Sequence, residues 1–400
     1  MSIALRVRQA LPAAPLYAAT ALLATLAACG GDGMGTAPMS MATNAMGSGS
    51  MTSGSMNTSC MDMGMSMSCP APTITVMAPT GTVSRTVTLR AQVMVKDGDV
   101  VARVDFMVDG ARVGTTSGGV FSVSWDSTTV SDGAHAFTAT VSDSLGQTSS
   151  ARPVTIEVDN HPAFTVTLSP AQIVPAPSSS GAGTAHLRVN LGTGALSGSV
   201  VLSGLTATAV TLNEAFAGNS GPGLMSFSAG ASGNEWQVPA GALLTAEQMT
   251  ALLQGGLYVT AGTAANLGGE LRGQITPTNV LVVFSALSGT QEVPPVAINA
   301  AGVAAATVDT QANTLTVHVH ATGVDDALAA EVADGAAGAT GMQLAALTHD
   351  DTDPGHWSTQ LTLVTPADIG ACKTGNCYIN VMTPADPHGA IRGQIEFTGH

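Results

Sequence analysis

The sequence predicts an all-β protein: three tandem antiparallel β-sandwiches behind a signal peptide and a disordered, methionine-rich tether. Three observations carry that expectation. Residues 71–159 alternate apolar and polar side chains at period two, broken by Gly, Asp and Ser turns. Residues 162–399 hold one unit written twice, about 120 residues apart. Residues 1–70 have neither periodicity nor core-forming content, only an apolar leader and low-complexity sequence. Composition agrees. Only 10% of residues are charged, against about 25% in ordinary soluble domains, and 46 glycines supply turns. The net charge of -15 makes nucleic acid a poor partner.

The leader, 1–28, opens with Arg6 and Arg8 and continues into the apolar run 11–28, which ends in small residues as a signal peptide does. The junction "LAAC", 26–29, resembles a bacterial lipobox. That resemblance implies lipid modification of Cys29, which becomes the mature N-terminus; ordinary cleavage near Ala28 is the alternative. Gly30 after the cysteine, in place of aspartate, implies sorting to the outer membrane. The expected location is therefore the cell envelope, with the membrane as partner through an acyl anchor. No later stretch has the length of an apolar span, and the long alternating strands and aromatic girdles of a transmembrane barrel are missing.

Residues 29–70 form the tether, too polar and glycine-rich to bury a core. Within it, "SCMDMGMSMSC" (59–69) sets Met61, Met63, Met65 and Met67 at alternate positions between two cysteines. Ten of the chain's 18 methionines fall in 34–67. Thioethers are soft, neutral ligands that select Cu(I), so these four are candidate Cu(I) ligands. The segment resembles methionine-rich stretches of periplasmic copper-handling proteins, though it has no histidine. A flexible spacer or an oxidant sink is the alternative. Of the five cysteines, Cys29 is assigned to lipid, and the rest form two local pairs, Cys60–Cys69 and Cys372–Cys377. Local pairs in an exported chain read as disulfides, with a reduced thiol pair open for Cys60/Cys69.

Residues 71–160 read as the first sandwich. "VDFMVDGARVG" followed by "WDSTTVSDGAHAFTATVSDSLGQT" resembles the bacterial Ig-like family, which implies about seven strands with Trp125 as core anchor. Asp126, Asp132 and Asp143 fit turn caps, with calcium ligation as the alternative.

The repeat gives the other two, 161–277 and 278–400. "FTVTLSPAQIVPAP" (164–177) answers to "FSALSGTQEVPPV" (284–296), Trp236 to Trp357, and Tyr258 to Tyr378. "LYVTAGT" (257–263) with "LRGQI" (271–275), and "YINVMT" (378–383) with "IRGQI" (391–395), resemble the CHRD family. The resemblance implies antiparallel sandwiches. Arg272 and Arg392, alone in apolar strands, are expected to satisfy loop carbonyls or a carboxylate. "TAEQMTALLQGG" (245–256) predicts a helix capped by Thr245; "TPADIGACKTGNC" (365–377) predicts a shorter one.

Candidate chemistry is sparse. Many CHRD domains carry histidines where this chain has Glu331, Ala333 and Met382, so a copper centre of the dismutase type cannot be built there. His318 and His320 flank Val319, and alternation puts both on one strand face, opposite Leu315, Val317 and Val319. They are weak metal candidates, with "THDDTDPGHW" (348–357) as a nearby source of ligands and a solvated strand face as the alternative. There is no G-x-S-x-G elbow and no phosphate loop. No catalytic residue is assigned and the chain is expected not to be an enzyme. The functional expectation is a non-catalytic envelope lipoprotein presenting binding or structural modules to an envelope protein or polymer, with Cu(I) sequestration by the tether as the alternative.

Overall fold

The computed structural model describes residues 70–95 and 99–397. The leader, Cys29, Met61, Met63, Met65, Met67 and the Cys60–Cys69 pair lie outside the described residues. Three hydrophobic clusters, each drawn from its own stretch of chain, form three separate cores. Among the described residues, no helix is long and apolar enough to cross a membrane.

The first module contains β1 (Thr73–Met77), β2 (Thr86–Met94), β3 (Val101–Val108), β4 (Ala111–Thr116), β5 (Ser122–Asp126), β6 (Gly133–Asp143), β7 (Thr148–Ser150) and β8 (Val154–Val158). One sheet runs β1-β2-β5; the other runs β4-β3-β6-β7, with β8 also on β6. The alternation read from sequence becomes burial: in β2, Val87, Leu89 and Ala91 point inward between exposed threonines and Arg90. Trp125 is buried as expected, among Leu89, Phe106, Phe137 and Ile156. Two of the three aspartates are turn caps: Asp126 accepts from the Thr128 amide and Asp143 from the Leu145 and Gln147 amides; Asp132 instead accepts from the distant Asn160 amide.

The first copy of the repeat contains β9 (Ala163–Leu168), β10 (Ala182–Val189), β11 (Leu196–Ser203), β12 (Ala209–Glu214), β13 (Gly223–Ser226), β14 (Ser228–Ala229), β15 (Glu235–Gln237), α1 (Ala246–Leu253), β16 (Leu257–Gly262) and β17 (Leu271–Gln274). Its sheets run β14-β15-β11-β10-β9 and β13-β12-β16-β17. The second copy contains β18 (Val280–Ser288), β19 (Ala301–Asp309), β20 (Thr314–Thr322), β21 (Ala329–Asp334), β22 (Gln343–Asp350), β23 (Asp353–Leu363), α2 (Pro366–Lys373), β24 (Cys377–Met382) and β25 (Ile391–Ile395). Here the same strand order is hydrogen-bonded around its whole circumference, β18-β19-β20-β23-β22-β21-β24-β25, so no edge is left unpaired.

Both helices begin on a capping box, Thr245 with Gln248 and Thr365 with Asp368. The second helix is not the shorter one: both span eight residues. Pro366, pre-set for a first helical turn, and the Asp368 cap compensate for its weaker apolar spacing. Cys372 and Cys377 are disulfide-bonded, tying the end of α2 to the start of β24.

Candidate functional site

The repeat's paired arginines organise the site. Arg392 is buried in β25 and donates to the carbonyls of Ala336 and Ala339 and to Gln394 Oε1. Its guanidinium lies 3.5 Å over the Tyr378 ring. Arg272 does the same in the first copy, donating to the carbonyls of Phe216 and Asn219 and to Gln274 Oε1 and stacking on Tyr258. Burial pulls the Arg272 pKa down to about 10, with Tyr258 opposing; the group stays charged at neutral pH. Each arginine thus fixes the loop after the fourth strand of its copy, β12 or β21, through the loop carbonyls that the sequence implied.

In the first copy that loop carries Gly218, and Gly218 is seated on the second copy. A Cβ built there would lie 2.8 Å from Ala305 Cβ and 3.0 Å from His318 Cβ. The Gly218 carbonyl meets His320 Nε2 at 2.8 Å, which makes that nitrogen the N–H donor. His318 and His320 do share one face of β20, but that face is not solvated. His318 is 2% exposed, because the first copy covers it. Strand periodicity gives the face and says nothing of which neighbour lies on it.

The "THDDTDPGHW" segment reaches this face through one residue. β23 pairs with β20, and His356 stands opposite His320. The His318 and His356 rings are 9° from parallel with centroids 5.4 Å apart, and His318 Nδ1 is 3.1 Å from His356 Nε2. Those values describe two imidazoles joined end to end, one nitrogen donating to the other. His356 Nδ1 faces Asp350 Oδ2 at 3.3 Å, and the His320 ring stacks on His356 with centroids 4.5 Å apart. His349 turns away, toward the Pro354 carbonyl and the Trp357 ring.

The electrostatics follow from burial. His318 is pushed down to about 3, first by desolvation and then by His356, His320 and Arg272. His320 is lowered by burial, with its bond to the Gly218 carbonyl opposing. Asp350 is held well below the usual carboxylate range, chiefly by the Thr352 hydroxyl and amide, then by His356. The arrangement is a hydrogen-bonded chain running Asp350, His356, His318. Two lone pairs aimed along one line at 3.1 Å suit one proton better than one metal ion, which needs its ligands converging from different directions. Among the described residues, no group of three or more His, Cys, Asp or Glu side chains is disposed to hold a metal.

A cleft of about 830 Å³ opens where the three modules meet, lined in nearly equal part by polar side chains such as Thr88, Gln254 and Asn279 and by apolar ones such as Val87, Phe164 and Leu253. Sequence reasoning had no signal for it, since its walls come from three distant stretches.

Comparison with known proteins places these features in context. The family model for the CHRD domain matches residues 164–275 and 283–395, together more than half of the chain. The model for a bacterial Ig domain matches residues 72–139. No curated protein matches. Among solved structures, the fibronectin(III)-like modules of Clostridium thermocellum CbhA show 20% identity, over 22% of this chain and 93% of that chain, with a TM-score of 0.18; a score at that level adds nothing to the fold described above.

Proposed function

The chain belongs to the CHRD domain family, and from that premise we propose that it is a non-catalytic, lipid-anchored envelope protein presenting three joined β-sandwich modules to an envelope protein or polymer. The observation that carries this reading is how the modules are held. At the first junction, the Asn160 carbonyl accepts from the Leu191 amide of the second module, while the Asn160 side chain is held inside the first module by the Arg85 amide and by the hydroxyl and carbonyl of Ser127. His161 links Asp132 of the first module to Asn190 of the second. At the second junction, Gly218 and the histidine face lock together. Modules held in fixed relation keep a junction cleft of mixed polar and apolar lining in constant shape, which suits recognition of a hydroxyl-rich or peptide ligand. The lipobox motif at Cys29 and the low-complexity segment behind it support an anchored location, with the outer membrane favoured by Gly30.

Two measurements test the reading. Cys29→Ser should abolish metabolic labelling by a fatty acid and release the protein from the membrane fraction; labelling that persists removes the anchor. The purified chain should co-sediment with isolated cell-wall polymer or retain an envelope protein, and Thr88→Trp with Asn279→Trp, which fills the cleft, should abolish that. Retention unchanged by the filled cleft assigns binding elsewhere.

A second reading is favoured by the alternation of Met61, Met63, Met65 and Met67 between two cysteines: the tether binds Cu(I). Thioethers bind without releasing protons, so affinity should vary little with pH. Changing the four methionines to serine should remove the tight Cu(I) site measured by competition with a chromogenic chelator. Unchanged stoichiometry ends the copper reading.

A further inference from the structure

On the outer face of β21, β24 and β25, the second copy carries oxygens with no donor to meet them. Asn380, 4% exposed, donates its Nδ2 to the His388 carbonyl at 3.0 Å. That bond fixes the amide and turns Oδ1 the other way, where it is buried without a partner. Glu292, 7% exposed, roofs the same place from the loop after β18, and its Oε1 is also buried without a partner. The two side chains meet beside Gly389, whose φ is +144°. A Cβ at that glycine would lie 2.5 Å from both Asn380 Oδ1 and Glu292 Oε2, so only a residue without a side chain lets the two oxygens come together there. Glu331, half-buried, stands opposite Asn380 in the strand register.

The first copy shows that the fold does not require these groups. At the matching places it has Ile173, Thr260 and Thr211 around Gly269. There a glycine Cβ would meet Thr260 Cγ2 at 2.6 Å and Ile173 Cδ1 at 3.2 Å; methyl groups close the space. Its polar atoms are satisfied, the Asn213 amide donating to the hydroxyls of Thr211 and Thr260.

Bare acceptors gathered in a buried place are costly unless a positive partner meets them. Arg392 is near but committed to two loop carbonyls, Gln394 and the Tyr378 ring. Burial holds the Glu292 carboxyl up at about 7, with Arg392 opposing and Asp386 adding to the rise, and burial also raises Glu331, with the Asn380 side chain opposing. Both groups therefore stand to gain from a cation. The donor set is two carboxylates and an amide oxygen, with neither imidazole nor sulfur. All-oxygen sets select hard ions such as Ca²⁺ and Mg²⁺ over copper or zinc. We propose that Glu292, Asn380 and Glu331 of the second copy form a binding site for a hard divalent cation.

Calorimetric titration of the purified full chain with Ca²⁺ tests this. The expected result is a saturable site in the wild type, and its loss in a Glu292→Ile, Asn380→Thr double variant that copies the first copy's lining. Glu292→Gln, which keeps shape and removes charge, should lose the same site and the accompanying rise in Tm. No saturable heat in the wild type, or equal binding in the variants, overturns the proposal. If circular dichroism shows the double variant unfolded, Glu292→Gln decides alone, with retained binding overturning the proposal and lost binding supporting it.

Discussion

At the scale of single residues, Gly218 and the three histidines set the contact between the two copies. Gly218 has φ +84° and Gly338, its counterpart, +78°. Alanine at either pays the left-handed penalty of about 1–2 kcal/mol. Only at 218 does the new methyl collide with a neighbour, since nothing lies within 4 Å of a Cβ at 338. Urea unfolding should therefore show Gly218→Ala the more destabilised of the two, by about 1–3 kcal/mol. Acid should act on the same contact. His318 in the docked state lies well below its ordinary 6.5, so the released form takes up the proton more readily. The stability it contributes is complete above pH 6.5 and is lost as the pH falls toward about 3. The slope for His318 is about 1.4 kcal/mol per pH unit. Asp350 stays ionised through most of that window, so the fall is assigned to the buried imidazoles of His318 and His320. The urea midpoint followed from pH 7 to 4 should fall less steeply in His318→Gln than in the wild type.

At the scale of elements, the arginine-held loops and capped helices are the parts most easily unmade. Arg392→Ala would leave the Ala336 and Ala339 carbonyls without their donor, at a cost of about 2–4 kcal/mol in denaturant unfolding. Arg272→Ala should cost a similar amount and also disturb the copy-to-copy contact, because the loop it holds carries Gly218. Thr365→Ala, which removes one capping box, should cost about 1 kcal/mol by the same measurement. Much of this scale was legible beforehand. Alternation in "TVTLRAQVM" announced a half-buried strand, Thr245 announced a helix start, and two arginines isolated in apolar strands announced carbonyl partners. The helix over 366–373 was underrated because its apolar spacing is weak, while its Pro and Asp caps act through backbone geometry that periodicity does not sense.

At the scale of the whole molecule, the three cores were written in the chain and the joints between them were not. The repeat fixed which residues correspond, so two similar domains followed. Nothing in "NTLTVHVHATGV" says that a loop about 100 residues earlier covers its histidines, since docking depends on the shape of both partners. His356 joined the cluster through strand pairing, and Asn380 and Glu292 met through a loop crossing; neither leaves a local signature. The Asn160 junction carries its own prediction. Asn160→Ala deletes three hydrogen bonds that fix the last residue of the first module to Arg85 and Ser127, and limited proteolysis should then cut near residues 159–163 faster than in the wild type, while the intact modules on either side resist.

The copy-to-copy contact pairs unlike surfaces: a loop on one side, a strand face on the other. Where the second copy has His318, His320 and His356, the first has Ser199, Val201 and Glu235 in the same register. Tandem order is therefore not arbitrary. Transposing the two domains along the chain would present a hydroxyl, an isopropyl group and a carboxylate to the oncoming glycine turn, and the seam would have to be invented afresh.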